Sequence, residues 1–165
     1  MALVKGPFTI KWGSNALLDV SELGFNYDVA SNDYETLDGR TYTVEGAITA
    51  SVDLTLLSSD VPALATIFPQ YYVAKGGTLS TGETVTSDDG AIDIVAASCD
   101  TTASKYDLEI TSCNGETTRL VKARTSLSSV DFADNAVRTV QVTFRGEPES
   151  GEGIVQFFNG IEATS

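Results

Sequence analysis

From Thr43 to Leu56, apolar and polar side chains alternate almost without a break. Val44, Gly46, Ile48, Ala50, Val52, Leu54 and Leu56 share one side of an extended chain, and Thr43, Glu45, Ala47, Thr49, Ser51, Asp53 and Thr55 share the other. A period of two marks a strand with one face buried. Fourteen residues at ~3.3 Å each span about 46 Å, whereas an ordinary strand runs about 5–6 residues. So long a strand either bends from one sheet into another or projects beyond its domain. A lone projecting strand pair is only marginally stable in water, so the second course calls for neighbours.

The rest of the chain is punctuated in the same manner. Phe8, Ile10 and Trp12 alternate with Thr9 and Lys11 and end in a Gly13-Ser14-Asn15 turn; Leu23, Phe25, Tyr27 and Val29 alternate with Gly24, Asn26 and Asp28. The polar run Ser31–Arg40 closes on Asp38-Gly39 and reads as a long loop, beyond the usual hairpin length of about 2–5 residues. Further strands are expected at 91–97, 105–113, 118–127, 136–146 and 153–158, with Asn114-Gly115 as a two-residue hairpin turn. One helix is expected between Ser58 and Pro69, capped by Ser59 or Asp60 and stopped by Pro69. Leu64, Ile67 and Phe68 share a face of it and are expected to pack it onto its own sheet. Many antiparallel strands with one short flanking helix indicate a mainly β protein, a sandwich or barrel, with residues 1–165 forming one domain.

Chemistry is sparse. The chain has no histidine, which removes the commonest general base and the Ser-His arrangement of hydrolases. Asp88, Asp89 and Asp93 lack the ligand spacing of a calcium loop and read as an exposed turn. Asp107 and Glu109 are spaced as acids on any exposed strand face are, which does not single out a glycosidase. Trp12 and most Phe residues fall on apolar strand faces and read as core, not as a sugar-binding platform. Cys99 and Cys113 are too few for a disulfide framework and read as free thiols or one bridge. No enzyme activity, cofactor or metal is expected. The 23 acidic against 10 basic residues give a formal charge of −13, a surface that repels phosphates and anionic membranes. With no signal-peptide pattern at the start and no apolar run of membrane length, the expected place of synthesis is the cytoplasm.

The segments Gly6–Gly13, Phe25–Asp28 and Asp33–Arg40, followed by Asn135–Gly146 and Gly153–Phe157, resemble the opening and closing strands of the major tail tube proteins of long-tailed, siphovirus-type bacteriophages. The resemblance covers most of the chain through diffuse strand and turn patterns. It implies a β-sandwich with a flanking helix, six copies in a ring, long strands shared in an inner barrel, and rings stacked into a virion tail tube that passes DNA without holding it. Tape-measure and tail-end proteins are the further partners it implies. In that setting Asp28, Glu45 and Asp53 become candidates to face the lumen, and Asp33, Tyr34, Glu35, Leu37 and Arg40 candidates for ring-to-ring contact. Alternatives are another virion β-domain (a decoration or terminator protein), a secretion-system tube protein of similar fold, and a carbohydrate- or calcium-binding β-sandwich module.

Overall fold

The computed structural model describes residues 3–17, 19–95, 104–132 and 137–161. Along the chain run β1 (Thr9–Trp12), β2 (Asn15–Leu17), β3 (Val20–Glu35), β4 (Thr41–Leu56), the helix α1 (Val61–Ile67), β5 (Tyr72–Val73), β6 (Ala91–Ile92), β7 (Lys105–Thr111), β8 (Thr117–Asp131), β9 (Thr139–Gly146) and β10 (Val155–Phe158). The main sheet has the order β2-β1-β7-β8-β9-β4-β3, with β10 added on β8, and β5 and β6 form a small ladder of their own. Every pairing is antiparallel. The protein is mainly β with one short helix.

β8 makes one sheet into two layers. Its first residues, Thr117–Leu120, lie between β7 and β10, whereas Ala123–Asp131 pair with β9. Between them Lys122 takes a left-handed φ of 49°. Its amide donates to Asp107 Oδ1 at 3.0 Å, and Asp107 sits at a register shift in β7. A bulge of this kind bends a strand and re-aims its side chains. The layers meet around Trp12, which stands edge-on to Phe144 with ring centroids 5.8 Å apart. Trp12, Val52, Leu54, Leu108, Leu120, Val142 and Phe144 form the centre of the core.

α1 follows its sequence signals. The Asp60 carboxylate accepts the Ala63 amide hydrogen at 3.2 Å, and Pro62 occupies the first turn, where its missing N–H costs nothing. Seven residues do not hold a helix in water. Ile67 and Phe68 are buried in the core, Leu64 packs at its margin, and buried Thr125 donates its hydroxyl to the Ile67 carbonyl at 2.9 Å.

Several boundaries differ from the sequence reading. Ser31–Glu35 are not loop: β3 continues through them, leaving only Thr36–Arg40 as the turn. There the Thr36 amide donates to the Arg40 carbonyl and Gly39 adopts a φ of 85°. A strand ladder is made by backbone groups and tolerates polar side chains where nothing is buried, and here the Thr43 hydroxyl donates to Asp33 at 2.7 Å. The Asn114-Gly115 connection is longer than a two-residue turn. Ser112 pairs with Glu116 across it, and its hydroxyl accepts the Glu116 amide hydrogen. Only Ala91–Ile92 of the expected 91–97 strand is paired, and residues 96, 97 and 136 lie outside the described residues, as does Cys99. Of the Phe residues only Phe68 and Phe144 are buried; Phe8, Phe132 and Phe157 are exposed.

Candidate assembly surface

β3 and β4 pair with each other from Val20↔Leu56 out to Glu35↔Thr41. β9 covers β4 only over Ser51–Leu56. Thr41–Ala50 therefore have β3 as their sole ladder partner among the described residues, and this arm of about ten residues extends roughly 33 Å beyond the body at ~3.3 Å per residue. Except at its root, where Ala50 is buried in the core, both of its faces are open to solvent.

The arm is nonetheless two-sided. Val29↔Ile48 and Tyr27↔Ala50 lie on the side that continues the core, and Asp28↔Thr49 on the other. A register shift between Val29 and Ser31 then changes the parity of β3. Without that bulge Tyr34 would fall on the polar side; with it, Tyr34 stands opposite Tyr42 and Asn32 opposite Val44. At the shift, a side chain on Gly46 would press against the Ala30 carbonyl at 3.4 Å. The result is an exposed apolar strip of Tyr27, Ile48, Val44, Tyr34 and Tyr42 on a segment that β9 does not cover.

The body of the sheet repeats this theme across its strands. Leu127, Val142, Leu54 and Leu23 are successive ladder partners across β8, β9, β4 and β3. Val142 and Leu54 in the middle are 0% and 1% exposed, while Leu127 and Leu23 at the ends are 41% and 38% exposed. The row Val130, Val140, Leu56, Val20 is similar, with a buried middle, an open end at Val130 and a half-buried end at Val20. Beneath the β3 end an apolar groove of about 620 Å³ opens between Leu23 and Phe25 on one side and Phe8, Ile110 and Phe157 on the other.

Both ends carry free backbone. β3 is the last strand of the sheet, and β8 from Thr125 to Asp131 pairs only with β9 among the described residues. With β9 and β4 between them and every pairing antiparallel, β3 and β8 run in opposite senses. A second copy placed beside the first would thus present an edge of the right polarity for an antiparallel ladder.

The opposite, polar face holds Asp28 and Asp53. Asp53 accepts from Asn26 Nδ2 and from Thr143 Oγ1, each at 2.8 Å. Its neighbours Thr55 and Gln141 line a shallow polar depression with Glu22 and Thr143. Glu45 pairs with Ser31 through its backbone, and its side chain lies outside the described residues. Asp33, Tyr34 and Glu35 stand on the outer end of β3; Leu37 is fully exposed at the turn, and Arg40 Nε lies 3.5 Å from Asp38.

The other acidic clusters are engaged in structure. Asp88 pairs with Lys75 at 2.7 Å, and Asp93 accepts the Ser80 amide hydrogen at 2.8 Å, a bond that holds its carboxyl below the usual range. Asp107 holds the Lys122 amide, and Glu109 holds Arg119 at 2.9 Å. No group of three His, Cys, Asp or Glu side chains among the described residues is spaced to hold a metal. The exposed Cys113 thiol lies 3.5 Å from the Lys5 carbonyl.

The sequence pattern identified the long strand, but not the rows that cross it. Row membership depends on register between strands far apart in the chain, which no single segment carries.

No known family model and no curated protein matches this sequence. Solved structures do share its fold. A chain of the tube-terminating cap of the anti-feeding prophage aligns over 97% of this chain and 96% of its own, at 12% identity and a TM-score of 0.55. A chain of the sheath-tube complex of an extracellular contractile injection system, in its extended state, aligns over 93% and 88% at 12% identity with a TM-score of 0.56. A chain of the virion of a native gene transfer agent aligns over 92% and 95% at 10% identity with a TM-score of 0.50. At these identities the likeness establishes the fold.

Proposed function

We propose that this chain is a structural subunit of a phage-like tail tube. Six copies stand side by side in a ring, the β3 edge of each against the β8 edge of the next, and rings stack through the projecting arms. DNA passes along a lumen lined by the polar face. The observation that carries this reading is an apolar row buried in the middle and open at both ends. A row such as Leu127-Val142-Leu54-Leu23 is the core of a larger sheet cut at its two edges. Placing Leu23 of one copy beside Leu127 of the next continues the row, pairs the bare backbone and removes the exposed edges that invite aggregation. The contact is head-to-tail, which closes into rings when the rotation allows it.

Mixing two variants tests the pairing. Leu23→Asp and Leu127→Asp each place a charge at one end of the row and leave the buried middle untouched. Alone, each is expected to remain monomeric at concentrations where the unaltered chain shows rings or tubes by negative-stain microscopy. Mixed, they keep one intact seam and are expected to form one-to-one dimers by light scattering. Persistent monomers of the unaltered chain, or normal rings from either variant, would overturn the reading.

The likeness to a tube-terminating cap supports a second reading, a ring that ends the tube. Isolated rings that never stack would favour it over the repeating subunit.

A further inference from the structure

One row of the polar face is cationic. Arg145 of β9 stands directly opposite Arg124 of β8, and Arg124 opposite Lys105 of β7. Like charges directly opposite one another destabilise a ladder, and the fold offsets this only in part. Glu147 sits among them, with Oε2 2.9 Å from Lys105 Nζ and Oε1 3.3 Å from Arg124 Nε. Its carboxyl is held below its ordinary value, chiefly by the Lys105 hydrogen bond, against some desolvation and with help from the Arg124 and Arg145 charges. Arg145 is exposed and makes no ion pair among the described residues. Lys122, the next cation along β8, is taken up by Glu149 and Glu152. Three cations against one carboxylate leave a local positive surplus on a chain whose formal charge is −13.

We propose that this row is a weak binding site for the phosphodiester backbone of double-stranded DNA. Guanidinium groups present planar, paired donors that match phosphate oxygens, and Ser51, opposite Arg145 in the same row, adds a hydroxyl. Asp53 lies in β4 two positions beyond Ser51 and repels a polyanion lying across the face, so the grip stays light. The placement of this row against DNA rests on the lumen reading above. Repeated around a ring, the row gives a positive band in an otherwise acidic channel, a brake on passage.

The test uses the unassembled chain, so that it does not depend on tube formation. A fluorescent 20-base-pair duplex is titrated with protein and followed by anisotropy. Two uncompensated cations imply a log–log salt slope of about −1.8, a loss of affinity of roughly sixtyfold between 20 and 200 mM salt. Arg124→Gln with Arg145→Gln is expected to weaken binding at least tenfold and flatten the slope. The single Arg145→Gln, which breaks no ion pair among the described residues, is expected to halve the slope. Equal binding by the variants, or no binding at 20 mM salt, overturns the proposal, as does tighter binding of poly-L-glutamate, which would mark a site for an acidic polypeptide. Rings without duplex binding would sink this row and leave the tube reading standing. Duplex binding without rings would do the reverse.

Discussion

The indole of Trp12 reaches from β1 to donate from Nε1 to the carbonyl oxygen of Ala123, 3.0 Å away and fully buried, next to the point where β8 changes partners. This bond ties the two layers together where the strand bends. Trp12→Phe keeps an aromatic ring in the core and strands the Ala123 carbonyl. It is expected to cost about 1–3 kcal/mol, measured by urea unfolding followed by circular dichroism. Tyr106→Phe, which alters a half-exposed neighbour at the same ring contact, serves as the control and is expected to stay within about 0.5 kcal/mol. Equal costs for the two would show that the bond contributes nothing.

At the outer end of the arm Tyr34 is exposed and Arg40 pairs with Asp38 at the surface, where an ion pair contributes little. Replacing Tyr34 and Arg40 together with Ala is therefore expected to leave monomer stability within about 0.5 kcal/mol while leaving rings that stack poorly. Tube length by electron microscopy reads the outcome. Tubes of unaltered length would remove the arm end from the contact between rings.

Asp28 and Asp53 stand on the face proposed for the lumen. Asp28→Lys with Asp53→Lys is expected to make assembled tubes retain DNA at low salt, measured by co-sedimentation. Because Asp53 also accepts from Asn26 and Thr143, Asp53→Asn is the control for the lost acceptor and is expected to retain none. Equal retention by the unaltered and lysine-bearing tubes would put this face elsewhere.

Glu147 supplies a dependence on pH. Its carboxyl is held below the ordinary 4.5, first by the hydrogen bond from Lys105. A carboxyl whose folded-state value is depressed stabilises the fold above its unfolded value and loses that contribution as pH falls through the folded one. The unaltered chain is therefore expected to melt higher than Glu147→Gln at pH 7, the gap closing progressively below about pH 4.5. A gap that is constant down to pH 2, measured by calorimetry, would show that the ion pairs contribute nothing.

Local pattern carried much of this fold. The β4 strand, the helix with its Asp60 cap and the alternation of Phe8 to Trp12 could be read because each signal lies within one segment. The outer half of β3 could not be read, and the reason is specific: the bulge between Val29 and Ser31 resets the alternation, so that Tyr34 falls out of phase with Val29 and the polar residues between them imitate a loop. The exposure of Phe8 and Phe157 was equally hidden. An apolar face meant for a neighbour has the same period as one meant for the chain's own interior. The cationic row joins positions 105, 124 and 145, which only the folded registers bring side by side.

The opposite senses of β3 and β8 bear on how growth would begin and end. Two copies joined at one seam cover one edge of each, yet the pair still exposes one β3 edge and one β8 edge, as a single copy does. Only the last copy to arrive satisfies both ends at once. Wherever closure is possible, complete rings would outcompete open arcs, and ring formation would set in sharply above a threshold concentration.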